Sequence, residues 1–138
     1  MSIGSKIYTK IKRANPILVQ RFNNIPVANI DDVIGGFSCV NSAIKPFNNS
    51  KLLGTAFTVK APIGEGMLFH LSLDMAEPGD IIVVDAGGCT ERGLCGEGMM
   101  LYARKRGING FVVDGANRDS EAAESFNEFS CLCQSCSM

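Results

Sequence analysis

A clustered basic excess is missing from this chain: 13 lysines and arginines stand against 14 acids, for a formal net charge of −1. Nucleic-acid binders usually carry such an excess, so no nucleic-acid partner is expected. The one basic stretch, Lys6 to Arg13, reads as the solvated face of an N-terminal amphipathic helix over residues 5–22, with Pro16 at its start or at a kink. Long hydrophobic runs are missing too. None approaches the roughly 18 apolar residues of a membrane span, and the N-terminus lacks the apolar core and cleavage pattern of a secretory leader. The expectation is a cytoplasmic protein with no membrane partner. Histidine occurs once, as His70. The cluster Cys131-Leu132-Cys133-Gln134-Ser135-Cys136 therefore offers three soft ligands with no imidazole nearby, and it is not read as a zinc site. Cys39, Cys89 and Cys95 lie scattered in glycine-rich or apolar contexts, which argues against a disulfide framework.

What is present fits one globular domain over residues 1–138: 46% hydrophobic and 20% charged residues in a chain long enough for a real core. Asn29-Ile30-Asp31-Asp32-Val33-Ile34 predicts a short helix ended by Gly35-Gly36. Asn29 or Asp31 could cap it, which makes Asp31 and Asp32 helix-start residues rather than catalytic acids. Residues 52–60 predict a strand, broken by Pro62 and Gly64. Residues 66–76 carry apolar positions at helical spacing, punctuated by Glu77-Pro78-Gly79-Asp80. His70 sits in that apolar stretch and is read as a packed core histidine rather than a general base. Asp74, one turn on, could orient it or be solvated. Met67, Met75, Met99 and Met100 are expected to fill gaps in the core or an interface.

Two apolar runs then dominate. Ile81-Ile82-Val83-Val84 predicts a strand leading into a glycine-rich loop over residues 85–96, a helix over residues 97–105 follows, and Gly107 is its expected C-cap. Gly110-Phe111-Val112-Val113 predicts the next strand, which leads into Asp114 to Asp119. Strand, loop, helix and strand with continuous apolar strands describe a buried parallel β-α-β unit of the α/β class. In such units ligands sit beyond the carboxyl ends of the strands. Both acid-bearing segments lie there. The glycine-rich segment has neither the Gly-Lys-Ser/Thr ending of a Walker loop nor dinucleotide-binding glycine spacing. The helix starting at Glu97 would offer the N–H groups of Gly98, Met99 and Met100 to an anion. Arg118 supplies a guanidinium that matches a carboxylate in bidentate fashion. Asp119 and Glu97 could anchor Mg²⁺ or Mn²⁺, largely through waters. The spacing alone leaves a surface ion pair between Arg118 and Asp119 equally open.

Taken in order, Leu53-Gly54-Thr55-Ala56-Phe57-Thr58-Val59, His70 to Asp80, Val83 to Gly88, Gly96-Glu97 and Val113-Asp114-Gly115-Ala116-Asn117-Arg118-Asp119 resemble the 4-hydroxy-4-methyl-2-oxoglutarate aldolases. That family includes the regulator of ribonuclease activity A and proteins once labelled demethylmenaquinone methyltransferases. The resemblance spans residues 22–121. It implies a swivelling β/β/α fold, assembled as trimers or hexamers with sites between subunits. It also implies a divalent-metal-dependent lyase that cleaves 2-oxo acids to pyruvate, by retro-aldol cleavage or by oxaloacetate decarboxylation. The family signature of an acid, twenty residues and Arg-Asp falls on Glu97, Arg118 and Asp119, with Glu in place of the usual Asp. The resemblance assigns Arg118 to the pyruvyl end of the substrate, Asp119 and Glu97 to Mg²⁺, and the amides of Gly98, Met99 and Met100 to the carboxylate. The alternatives are a non-catalytic regulator that binds and inhibits a ribonuclease, or an inactive truncated member. Family members continue through further C-terminal strands, expected to be missing here. Residues 125–138 are atypical of the family. Codons can be chosen for Ser130 to Ser137 whose reading one base later gives the family-like Pro-Val-Tyr-Ala-Lys-Ala-Val, the hypothesis being a frame-shifted strand. A gene sequence in which no one-base shift restores such a continuation would sink it.

Overall fold

The structure, a computed structural model, describes residues 5–136. Five strands form one sheet in the order β1-β5-β4-β3-β2, where β1 is Lys45–Pro46, β2 Thr55–Lys60, β3 Asp80–Cys95, β4 Gly110–Asn117 and β5 Ser130–Cys136. Strands β2 to β5 are parallel to their neighbours, and β1 adds a short antiparallel edge to β5. Helices α3 (Met67–Met75), α4 (Glu97–Lys105) and α5 (Ser120–Ser125) are the successive crossovers between the parallel strands. The α/β class and the β-α-β core read from the sequence are the architecture observed.

The core lies between these helices and one face of the sheet. Alternate strand residues point into it: Phe57 from β2, Ile82 and Val84 from β3, Phe111 and Val113 from β4, Cys131 and Cys133 from β5. Phe69 of α3, Met100 and Ala103 of α4 and Ala123 of α5 meet them. Phe111 stands edge-to-face against both Phe69 and Phe129, each at 4.9 Å between ring centroids. The Cys131 and Cys133 side chains are thus core material in a regular strand, and the Cys133 thiol is pushed up in pKa by its hydrogen bond with Cys131 and by burial. Cys39, Cys89, Cys95, Cys131 and Cys133 form no disulfide. The last two residues of the atypical tail, 137 and 138, lie outside the described residues.

Several boundaries differ from those expected. The N-terminal helix is α1, Pro16–Arg21, and residues 5–15 are irregular. Pro16 disfavours helical geometry in Asn15, whose side chain instead caps the helix by accepting the Ile17 N–H at 2.9 Å. Upstream, Arg13 clips the segment to the body. Its guanidinium bonds both oxygens of the buried Asp80, and also reaches Glu77. Helix α2, Val27–Ile34, starts two residues before Asn29, after Pro26 and without a side-chain cap. Asp31 lies inside it and accepts the Ser38 N–H, so neither expected cap forms. Gly35 ends α2 in the left-handed region at φ 109°, as predicted.

The largest difference is β3. Residues 85–96, expected as a loop, continue the strand to Cys95. After Asp85 the pairing with β4 shifts register three times, yet Cys89, Gly93 and Cys95 still meet Gly115, Ala116 and Asn117. Gly87 and Gly88, at φ 66° and 71°, provide the bends. Gly115 allows the return: a Cβ there would stand 2.8 Å from Leu94.

Candidate functional site

An open cleft of about 620 Å³ lies where β3 and β4 end, between α3 and the start of α4. Glu97 is the first residue of α4, and Arg118-Asp119 directly follow β4. The Asp119 carboxylate accepts the Glu97 N–H at 2.8 Å. An acid twenty-two positions away in sequence thereby satisfies an orphan donor at the helix start and complements its dipole. The peptide of Arg118 is held from both sides: its N–H donates to the Cys95 carbonyl at 2.9 Å, and its carbonyl accepts the Cys136 thiol at 3.2 Å. Asn117, fully buried, receives the Cys95 thiol at 3.5 Å and also accepts the Asp119 N–H at 3.3 Å. The turn carrying Arg118 is therefore fixed by β3, β4 and β5 together.

Gly96 is the close-approach position. A Cβ there would stand 2.5 Å from the Asp119 carboxylate and 3.4 Å from the Arg118 guanidinium. Only glycine lets the Arg-Asp pair sit over the start of α4. The surface ion pair left open by the spacing is not formed, and among the described residues the Arg118 guanidinium has neither a hydrogen bond nor a salt bridge. It is exposed and lines the cleft, as are Glu97 and Gly98.

The expected anion cradle is narrower than the sequence suggested. The N–H groups of Met99 and Met100 both reach the Gly96 carbonyl, at 3.1 and 3.2 Å, and so are spent inside the helix. Met100 is fully buried in the core and does not line the cleft; Met99 lines it. The Gly98 N–H alone has no partner among the described residues. For a divalent ion, Glu97 and Asp119 offer hard oxygen donors of the kind Mg²⁺ takes while keeping most of its water. No group of three or more His, Cys, Asp or Glu that could hold a metal occurs among the described residues, so any such ion would be completed by water or by a further chain. Two carboxylates at the cleft fit that requirement.

The α3 wall brings two residues to the cleft, His70 and Asp74, that sequence reading did not place there. His70 is exposed rather than packed in the core, because the buried face of α3 is set by Phe69, Ser72 and Leu73. Asp74 lies one turn further on the same flank. It does not orient His70; its carboxylate accepts the Tyr102 hydroxyl at 2.7 Å, which raises the tyrosine's pKa. The i, i+3, i+4 pattern of Phe69, Ser72, Leu73 and Ala76 was the available signal. It was masked because nearly every residue around it is apolar.

Residues 27–138 match the profile of a family described as RraA-like, Aldolase/RraA. A relative from Halalkalibacterium halodurans, named "Putative 4-hydroxy-4-methyl-2-oxoglutarate aldolase", is 38% identical over 110 residues, covering 79% of this chain. The chain spans 52% of that relative's length. Among solved structures, the RNA-processing inhibitor RraA from Thermus thermophilis superposes with a TM-score of 0.72 at 22% identity, over 83% of this chain and 69% of that one. Streptomyces coelicolor RraAS2, described as an unusual member of the RNase ES inhibitor RraA family, gives 0.75 at 25% identity, over 91% and 66%. No helix among the described residues is long and apolar enough to cross a membrane.

Proposed function

Because this chain belongs to the RraA-like Aldolase/RraA family, we propose that its cleft is the site of a divalent-metal-dependent lyase that cleaves 2-oxo acids to pyruvate. The observation that carries this reading is the unpaired Arg118 guanidinium, held on a turn fixed by three strands, beside the carboxylates of Glu97 and Asp119 and the unpartnered Gly98 N–H. Arg118 binds the carboxylate of the 2-oxo acid through two parallel N–H donors, and the Gly98 amide at the positive end of α4 adds a third. Glu97 and Asp119 would hold the cation, Mg²⁺ or Mn²⁺. When bound, the ion supplies positive charge next to the 2-oxo group, where an enolate develops as a carbon–carbon bond breaks. The substrate is a 4-hydroxy-2-oxo acid or oxaloacetate. The reaction takes place in the cytoplasm.

We propose further that the chain forms a homo-oligomer, a trimer or a hexamer, with sites between subunits. Helices α1 and α2 support this, since neither contains a buried residue, and Ile17, Val27 and Val33 are strongly exposed. The same apolar surface supports the second reading, a regulator that binds a ribonuclease without catalysis.

The deciding experiment measures pyruvate release from oxaloacetate and from 4-hydroxy-4-methyl-2-oxoglutarate, with Mg²⁺ or with a chelator. Turnover that the chelator abolishes, and that falls at least about a hundredfold in Arg118→Ala, is the expected result. Release no faster than with Mg²⁺ alone overturns the lyase reading and leaves the regulator.

A further inference from the structure

The cleft lining is unbalanced in charge. Asp74, Glu97 and Asp119 contribute three carboxylates, against one guanidinium from Arg118. One oxygen of Asp119 caps α4, and Asp74 accepts the Tyr102 hydroxyl. Across from the α4 start, the α3 wall presents Met67, Leu71 and Leu73, with His70 exposed among them. Neither ring nitrogen of His70 has a hydrogen bond among the described residues, although polar partners stand on both sides of the cleft. A general base is usually oriented by a second group, and the acid one turn away is turned to Tyr102 instead. An imidazole with no partner among the described residues, set in an apolar wall, suits recognition of a polar ligand group better than proton abstraction.

We propose that His70 is the specificity-determining residue of the cleft, and that it hydrogen-bonds the second carboxylate of a dicarboxylic 2-oxo acid whose first carboxylate is held by Arg118. The inference rests on the reading of the cleft as a 2-oxo acid site. It gives the cleft two separate anion contacts, one on the β4–α5 turn and one on α3. The space between them is flanked by apolar side chains, which suits the carbon chain of such a ligand. A monocarboxylic 2-oxo acid would leave His70 facing an apolar tail with its polar atoms unpaired, which disfavours that ligand.

The test is calorimetric binding to the full chain in the presence of Mg²⁺, comparing 2-oxoglutarate with 2-oxopentanoate. These acids share a chain length and differ in the second carboxylate. The expected result is a preference for 2-oxoglutarate of about tenfold, the size of one charge-assisted hydrogen bond. His70→Leu removes that preference by weakening 2-oxoglutarate without weakening 2-oxopentanoate; His70→Gln, which keeps a donor, retains part of it. Arg118→Ala weakens both acids. Equal loss of both acids in the two His70 variants, or a preference untouched by either, overturns the inference alone. Binding of neither acid by the unmodified chain overturns the reading of the cleft on which it rests.

Discussion

The two halves of β3 make a useful contrast. From Asp80 to Asp85 the strand runs in unbroken register between β2 and β4, and Ile82 and Val84 are buried in the core. From Ala86 to Cys95 it loses register three times, carries three glycines, and ends at Gly96 under the Arg-Asp turn. The first half is apolar and regular, so its role is to hold the sheet together. The second half gives up regular pairing and thereby brings the starts of α4 and of the β4–α5 turn into contact. One strand thus divides its work: burial at one end, placement of polar groups at the other.

The contrast can be broken from its stable end first. Ile82 is fully buried, and Ile82→Ala should cost about 3 kcal/mol through lost burial and a residual cavity, read as a lower urea midpoint, with the cleft unchanged in whatever fraction stays folded. At the other end the order of effects reverses. Gly96→Ala forces the Asp119 carboxylate off the Glu97 N–H, so it should cost only about 1 kcal/mol of stability but at least about tenfold in 2-oxoglutarate affinity. Loss of stability as large as that of Ile82→Ala, with affinity intact, would erase the distinction.

The smallest effect lies at the junction. Lys60, by its hydrogen bond, and then the Gly87 N–H hold the Asp85 carboxyl below its ordinary pKa. A depressed folded pKa adds stability above the unfolded value, near pH 4, and that stability disappears as the pH falls through the folded value. Both side chains are largely exposed, at 85% and 51%, so solvent screens the pair. Asp85→Asn should therefore lower Tm by no more than about 2 °C at pH 7, and the difference should vanish below about pH 4. A difference that grows as the pH falls would contradict the assignment.

The regular parts of this fold were readable because periodicity is a local signal. The helix at residues 97–105 and the strands starting near residues 81 and 110 are where apolar spacing places them. The convergence of Glu97, Arg118 and Asp119 followed from their positions just beyond two neighbouring parallel strands. The bulged half of β3 was not readable, because its glycines resemble a loop until Gly115, Ala116 and Asn117 are seen to pair with it. Residues 5–15 escaped for a similar reason, since Arg13 fixes them through Glu77 and Asp80, more than sixty positions away. The Met99 and Met100 amides were counted as free because a helix start is assumed to leave its first donors open. The Gly96 carbonyl accepts both.

The strand order carries a last consequence. From β2 through β5 the chain always steps to the next strand in the same direction. Crossovers of constant hand then drop every helix on the same side, so the path never reverses and no crevice opens between diverging helices. Open α/β sheets that change direction midway get a ligand cavity from topology alone. This one must carve its own, by lengthening two adjacent strands past the helices and folding their tips over a single helix start. Its chemistry should accordingly be more sensitive to the length of those tips than to the number of strands in the sheet.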